Sequence, residues 1–141
     1  MAANFADGGA AAFERAGQLR TRALELATIE LHAYEPVLEA LRLPRDDPER
    51  AGRVRTAETE ASRSPLEIAT LAAELAELAA ELAHAGNPNL AGDAIAGALL
   101  AEAAAQAAAR LVAVNLTDGP HVEEAWQSAR RAQGARDRAL S

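Results

Sequence analysis

Residues 86–116 read GNPNLAGDAIAGALLAEAAAQAAARLVAVNL. A Gly86-Asn87-Pro88-Asn89 turn opens the stretch, and the run from Leu90 to Leu116 then carries only three charged residues, Asp93, Glu102 and Arg110. Ala is the best helix former, and no Pro interrupts the run. A helix that is apolar nearly all round is normally buried by neighbours on every side. Small side chains also let those neighbours come close. The stretch therefore predicts the central helix of an all-helical domain. A membrane span is disfavoured, because Glu102 and Arg110 sit inside a segment that would need about 20 predominantly apolar residues.

Composition agrees. The chain has 141 residues, enough for one domain, 1–141, with a real core. Half of it is apolar, yet only Phe5, Phe13, Tyr34 and Trp126 are aromatic. Such a Leu/Ala core fits a helical bundle better than a sheet, which favours β-branched and aromatic residues. The net charge of −7 argues against nucleic-acid binding, which needs a basic face. All 14 basic residues are Arg, and there is no Cys, which excludes disulfides, thiolate metal sites and a Cys nucleophile. No charged n-region followed by an apolar h-region opens the chain, so the expected location is the cytoplasm.

Working outward, residues 1–12 are weakly patterned and read as a frayed terminus with a turn at Asp7-Gly8-Gly9. Residues 10–35 predict a long helix. Leu24, Ala27, Leu31, Tyr34, Leu38 and Leu41 step 3, 4, 3, 4, 3, one apolar seam. Pro36 falls within that seam and predicts a kink near residues 32–35. Asp47-Pro48-Glu49 is a helix start, with Asp as cap, for a polar surface helix to about Ser62. Ser64-Pro65-Leu66-Glu67 has the form of a capping box. Ile68, Leu71, Leu75, Leu78, Leu82 and Ala85 make a second seam, which Gly86 ends. The tight turn after it makes the flanking helices antiparallel neighbours. A last helix follows the break at residues 117–120 and runs to about Arg138; its Arg-rich end suits the helix dipole and is too short for a nucleic-acid tail. The sum is an all-α bundle of about five helices. Its Leu seams exceed what a monomer of this size hides, which predicts a homodimer.

One set of blocks resembles a known family. Gly86-Asn87-Pro88-Asn89-Leu90-Ala91-Gly92-Asp93, the Ala-rich helix and Val112-Ala113-Val114-Asn115-Leu116 look like the formiminotransferase-cyclodeaminase C-terminal domain family, which includes methenyltetrahydrofolate cyclohydrolases. Leu38-Glu39-Ala40-Leu41-Arg42-Leu43-Pro44 and Ser64-Pro65-Leu66-Glu67-Ile68-Ala69 match in order and spacing. The resemblance covers roughly residues 15–117. It implies chemistry on a one-carbon unit carried by tetrahydrofolate. Either folate N10 attacks a formimino carbon and ammonia leaves, or water opens a methenyl bridge. Both need a positioned proton-transfer group, and the resemblance implies neither a metal nor a separate cofactor.

The family's catalytic Asp lies fourteen residues before the Pro of the Arg-Leu-Pro block, which here is Glu30. Its companion acid is Thr28. A solvated charge beside the apolar seam is the competing reading of Glu30. Asn87, Asn89 and Asp93 are the residues the resemblance turns toward the folate; their types also fit a helix cap and a dipole partner. Asn115 matches the second Asn of the closing motif, whose first is Leu111 here, and the family's Ser before the Asp is Gly92. Asp93 and Asn115 are 22 positions apart, so on one helix they lie roughly 33 Å from each other. One chain cannot bring both to one small ligand. Either a site combines two subunits or Asn115 is structural. Glu102, Gln106 and Arg110 form a polar ladder expected at a subunit interface. The three His have no zinc-site spacing. The family also carries a Gly-rich turn and an Ala-rich helix ahead of this region, not found here, so the start codon is misplaced or the protein is truncated. With the substitutions at Glu30, Gly92 and Leu111, this keeps a second class in play: a non-catalytic helical dimer retaining the fold or folate binding.

Overall fold

Two prolines set where the long helices break. The computed structural model describes residues 2–141, with side chains from Gly9 onward. Its helices are α1 (Ala2–Ala33), α2 (Glu35–Leu41), α3 (Arg50–Ala61), α4 (Arg63–Ala85), α5 (Ala91–Asn115) and α6 (Pro120–Leu140), with a single 3-10 turn at Pro88–Leu90 and no strand among the described residues. Pro36 cannot donate into the ladder, and α1 gives way to α2 at Tyr34, whose carbonyl takes the Val37 and Leu38 N–H groups at 3.1 and 3.2 Å. Pro65 acts likewise at the α3–α4 junction, where Ser62 keeps helical dihedrals (φ −79°, ψ −11°). The six helices therefore form four rods, α1–α2, α3–α4, α5 and α6, one fewer than expected.

The N-terminal expectation is corrected at the backbone. Residues 7–9 belong to α1, which starts at Ala2, so they form neither a turn nor a frayed end; Met1 lies outside the described residues. At the α3 start, Asp47 accepts the Glu49 N–H at 2.8 Å within the preceding turn but does not cap the helix: α3 begins at Arg50, its N-cap is Glu49, and no side chain caps it. Gly86 ends α4 for a steric reason: a Cβ there would collide with the Leu82 carbonyl oxygen.

The core is made of alanine. Antiparallel α4 and α5 pack with α6 through Ala72, Ala73, Ala76, Ala98, Ala105 and Ala132, and a second cluster gathers Ala109, Val112, Ala125 and Ala129 beside Leu66, Val122 and Trp126. Helix axes approach most closely where the contact residues are small, and here the small face runs the whole length of α4.

The Leu seams lie largely outside this contact. The Leu seam of α4 flanks the contact, half-buried from Ile68 to Leu78 and exposed at Leu82 and Ala85, while its Ala face is inside. On α1 and α2 the buried side chains are Leu19, Leu26, Val37 and Ala40; the Leu24–Leu41 seam points outward, with Leu31 78% exposed. The central helix is likewise not covered on every side. Leu100, Ala104, Ala107, Leu111 and Val114, stepping 4, 3, 4, 3, are all exposed on its outer face, Leu100 by 74%. By length and composition Pro88–Asn115 could cross a membrane, but its Ala face is packed against α4 and α6.

Rod α1–α2 is held to α4 by ion pairs as well as by Leu19 and Leu26. Arg22 clasps Glu67 with two bonds of 2.6 and 2.8 Å, and Arg15 clasps Glu74 one heptad along, its Nη2 2.6 Å from Oε2. These bonds hold the Arg22 guanidinium above its ordinary range and the Glu67 carboxyl below its usual 4.5. Arg131 clasps Glu77 in the same way, tying α6 to α4.

Candidate functional site

Glu30 continues the ladder that docks α1 on α4. Arg15–Glu74 and Arg22–Glu67 are its first two rungs, both between an α1 cation and an α4 carboxylate. On the third the carboxylate is on α1, and α4 answers with a hydroxyl: Ser64 Oγ donates to Glu30 Oε2. Ser64 is buried and Glu30 half-buried. Glu30 makes no ion pair among the described residues, unlike Glu67 and Glu74. One oxygen is thus fixed by a neutral donor and Oε1 is left for another partner. A carboxylate held in place but not neutralised by an Arg is suited to exchanging a proton with a bound molecule.

Ser64 was expected to cap a helix. It does not, because no helix starts there: the backbone is already helical at Ser62, and the Leu66 N–H bonds the Ser62 carbonyl at 3.1 Å. Ser62 lies on the other side of the same junction. Its fully buried hydroxyl sits 2.7 Å from the Thr59 carbonyl and 2.8 Å from His121 Nδ1. A hydroxyl has one proton to give, so if it goes to Thr59 then His121 donates through Nδ1. This pins α6 to the junction from the face away from Glu30.

The other candidates divide between the two ends of the bundle. Asn115 ends α5 beside the start of α4 and so shares an end with Glu30. Asn87, Asn89 and Asp93 lie at the far end, beyond the last turn of α4. With 23 residues in α4, that separation is roughly 34 Å. At the far end it is Asn87, not Asn89, that caps: its Oδ1 accepts the Asn89 N–H at 3.0 Å. The Asn89 side chain makes no cap and Asp93 is exposed in the first turn of α5. Of the ladder Glu102, Gln106 and Arg110, the first two are half-buried and Arg110 is exposed, its guanidinium 5.4 Å from the centre of the Trp126 ring on α6 of the same chain. The Leu100–Val114 seam occupies another face of α5 and is left uncovered.

A family model described as formiminotransferase-cyclodeaminase matches residues 2–133, nearly the whole chain. The chain belongs to the formiminotransferase-cyclodeaminase family. None of the curated proteins compared with it matches. The family assignment thus extends the resemblance from residues 15–117 to both terminal helices. In this formiminotransferase-cyclodeaminase chain, Ser64 and the Ser62–His121 contact are the polar groups that sequence reading missed. Their partners are 34 and 59 residues away, and nothing local marks them. Among the described residues no three His, Cys, Asp or Glu side chains cluster as a metal would require.

Proposed function

We propose that this protein acts on a tetrahydrofolate one-carbon adduct, formimino- or methenyl-, with Glu30 moving the proton. The observation that carries the reading is the half-buried Glu30 carboxylate, held by Ser64 and free of any Arg, in a chain of this family. In the methenyl case, water adds to the bridging carbon while Glu30 takes one water proton; that proton goes to the ring nitrogen as its bond to that carbon breaks, and the remaining hydroxyl proton is released to solvent as the formyl carbonyl forms. In the formimino case, N10 adds to the carbon of the protonated formimino group and loses its proton to Glu30, which returns it to the departing –NH2 as that C–N bond breaks and ammonia leaves. Folate is substrate here, with no further cofactor, and the compartment is the cytoplasm.

The acting unit is a homodimer. Two exposed seams support this, the Leu24–Leu41 seam and the Leu100–Val114 face of α5. Regular apolar stripes of this kind are otherwise rare on monomers. A second chain running antiparallel also brings the Asn87–Asp93 end of one protomer to the Glu30 end of its partner, which no single chain can do. The separation of the two ends is equally the observation that favours the second reading, a helical dimer without catalysis.

Turnover of 5,10-methenyltetrahydrofolate, followed by loss of its near-ultraviolet absorbance, separates the two. Hydrolysis above the buffer rate that is lost in Glu30→Gln is the expected result. No hydrolysis, and no ammonia from formiminotetrahydrofolate, favours the non-catalytic dimer.

A further inference from the structure

Between α2 and α3 lies a groove of about 720 Å³, within the range of small-molecule sites. Its floor is apolar, from Ala40, Leu43 and Ala57. Gly52 also lines it, and a Cβ built there meets no atom within 4 Å. A glycine inside a helix costs stability relative to Ala. Nothing in the chain needs that space, so the missing side chain enlarges the groove and serves no packing contact. Of the carboxylates on the rim, Glu49 is taken by Arg53 at 2.8 Å and Glu60 by Arg63 at 3.0 Å. Glu39 has no ion-pair partner among the described residues. Thr56 is similarly free. Thr21, Thr28, Thr59 and Thr70 each bond back to a helix carbonyl, and Thr56 does not.

An apolar floor with one unpaired carboxylate on one wall and one unspent hydroxyl on the other suits a flat ring with N–H donors along one edge. A carboxylate accepts two such donors side by side. The inner end of the groove also points to the reaction. Glu60 is one helical turn, about 6 Å, from Ser64, which holds Glu30. We propose that this groove binds the ring end of the substrate, an aminopyrimidine-edged heterocycle oriented by Glu39 and Thr56, with its one-carbon unit toward Glu30. This deepens the folate reading of the Glu30 site and rests on it for the identity of the ligand.

Calorimetric titration of the purified protein with 6-methyltetrahydropterin and with 5-formyltetrahydrofolate tests it. The expected result is that both bind the wild type, that Glu39→Gln weakens both about tenfold, as loss of a charge-assisted bond pair should, and that Gly52→Leu abolishes binding while keeping the fold. Equal affinity in wild type, Glu39→Gln and Gly52→Leu overturns the proposal, as does failure of both probes to bind the wild type. The two readings fail separately. Groove-dependent binding without turnover sinks the catalytic reading alone. Turnover at an unchanged KM in Gly52→Leu sinks the groove alone.

Discussion

At the scale of the residue, Glu30 differs from Glu67 and Glu74 in what faces it: a serine hydroxyl in place of a guanidinium. Glu30→Gln keeps the shape and removes the proton acceptor, so kcat should fall by about 10²–10⁴-fold, the range for general acid–base groups. Ser64→Ala frees the carboxylate to swing, and a displacement of about 1 Å can cost roughly a hundredfold. Its expected signature is a lower kcat at an unchanged KM, read from the same absorbance assay. Gly52 carries the opposite expectation. Nothing obstructs a Cβ there, so Gly52→Ala should raise stability by about 0.5–1 kcal/mol, measured by chemical denaturation, while crowding the groove floor.

At the scale of the element, α4 is sided by alanine. Ala76 is fully buried in the three-helix contact, so Ala76→Leu should destabilise by about 1–3 kcal/mol although it adds an apolar group. The same substitution at the half-buried Leu seam's flank would be tolerated. This is where sequence reading stopped. Steps of 3 and 4 established that residues 24–41 and 68–85 were helical, and the Pro36 break and Gly86 stop were legible from backbone chemistry. Periodicity does not show which stripe faces inward, because α1, α4 and α5 are apolar on two sides. Close approach through Ala fills the inside of the chain, and Leu lies on the flanks and outer faces. The Glu30–Ser64 contact was illegible for another reason: it exists only because α1 docks antiparallel on α4. That docking has a pH dependence. Glu67 is held below its ordinary 4.5, first by its hydrogen bonds to Arg22 and then by that charge, against desolvation. Its contribution is complete above that ordinary value and is lost as pH falls through the lowered one. Hydrogen exchange should show α1 loosening from α4 in acid below the usual carboxylate range, and Glu67→Gln should remove that step.

At the scale of the whole molecule, the proposed antiparallel dimer would cover the two exposed seams and bring together candidate residues that one chain holds at opposite ends. Leu31→Glu or Leu111→Glu places a charge in a seam exposed in the single chain. Each should leave the fold intact and shift light-scattering mass from dimer to monomer, with activity lost in step. The most direct measurement is subunit complementation. Glu30→Gln and Asp93→Ala protomers, each inactive alone, are mixed, unfolded and refolded together. If each site takes Glu30 from one chain and Asp93 from the other, half the dimers are mixed and each carries one intact site, so activity should return to about a quarter of wild type. Recovered dimers with no recovered turnover would contradict the shared site.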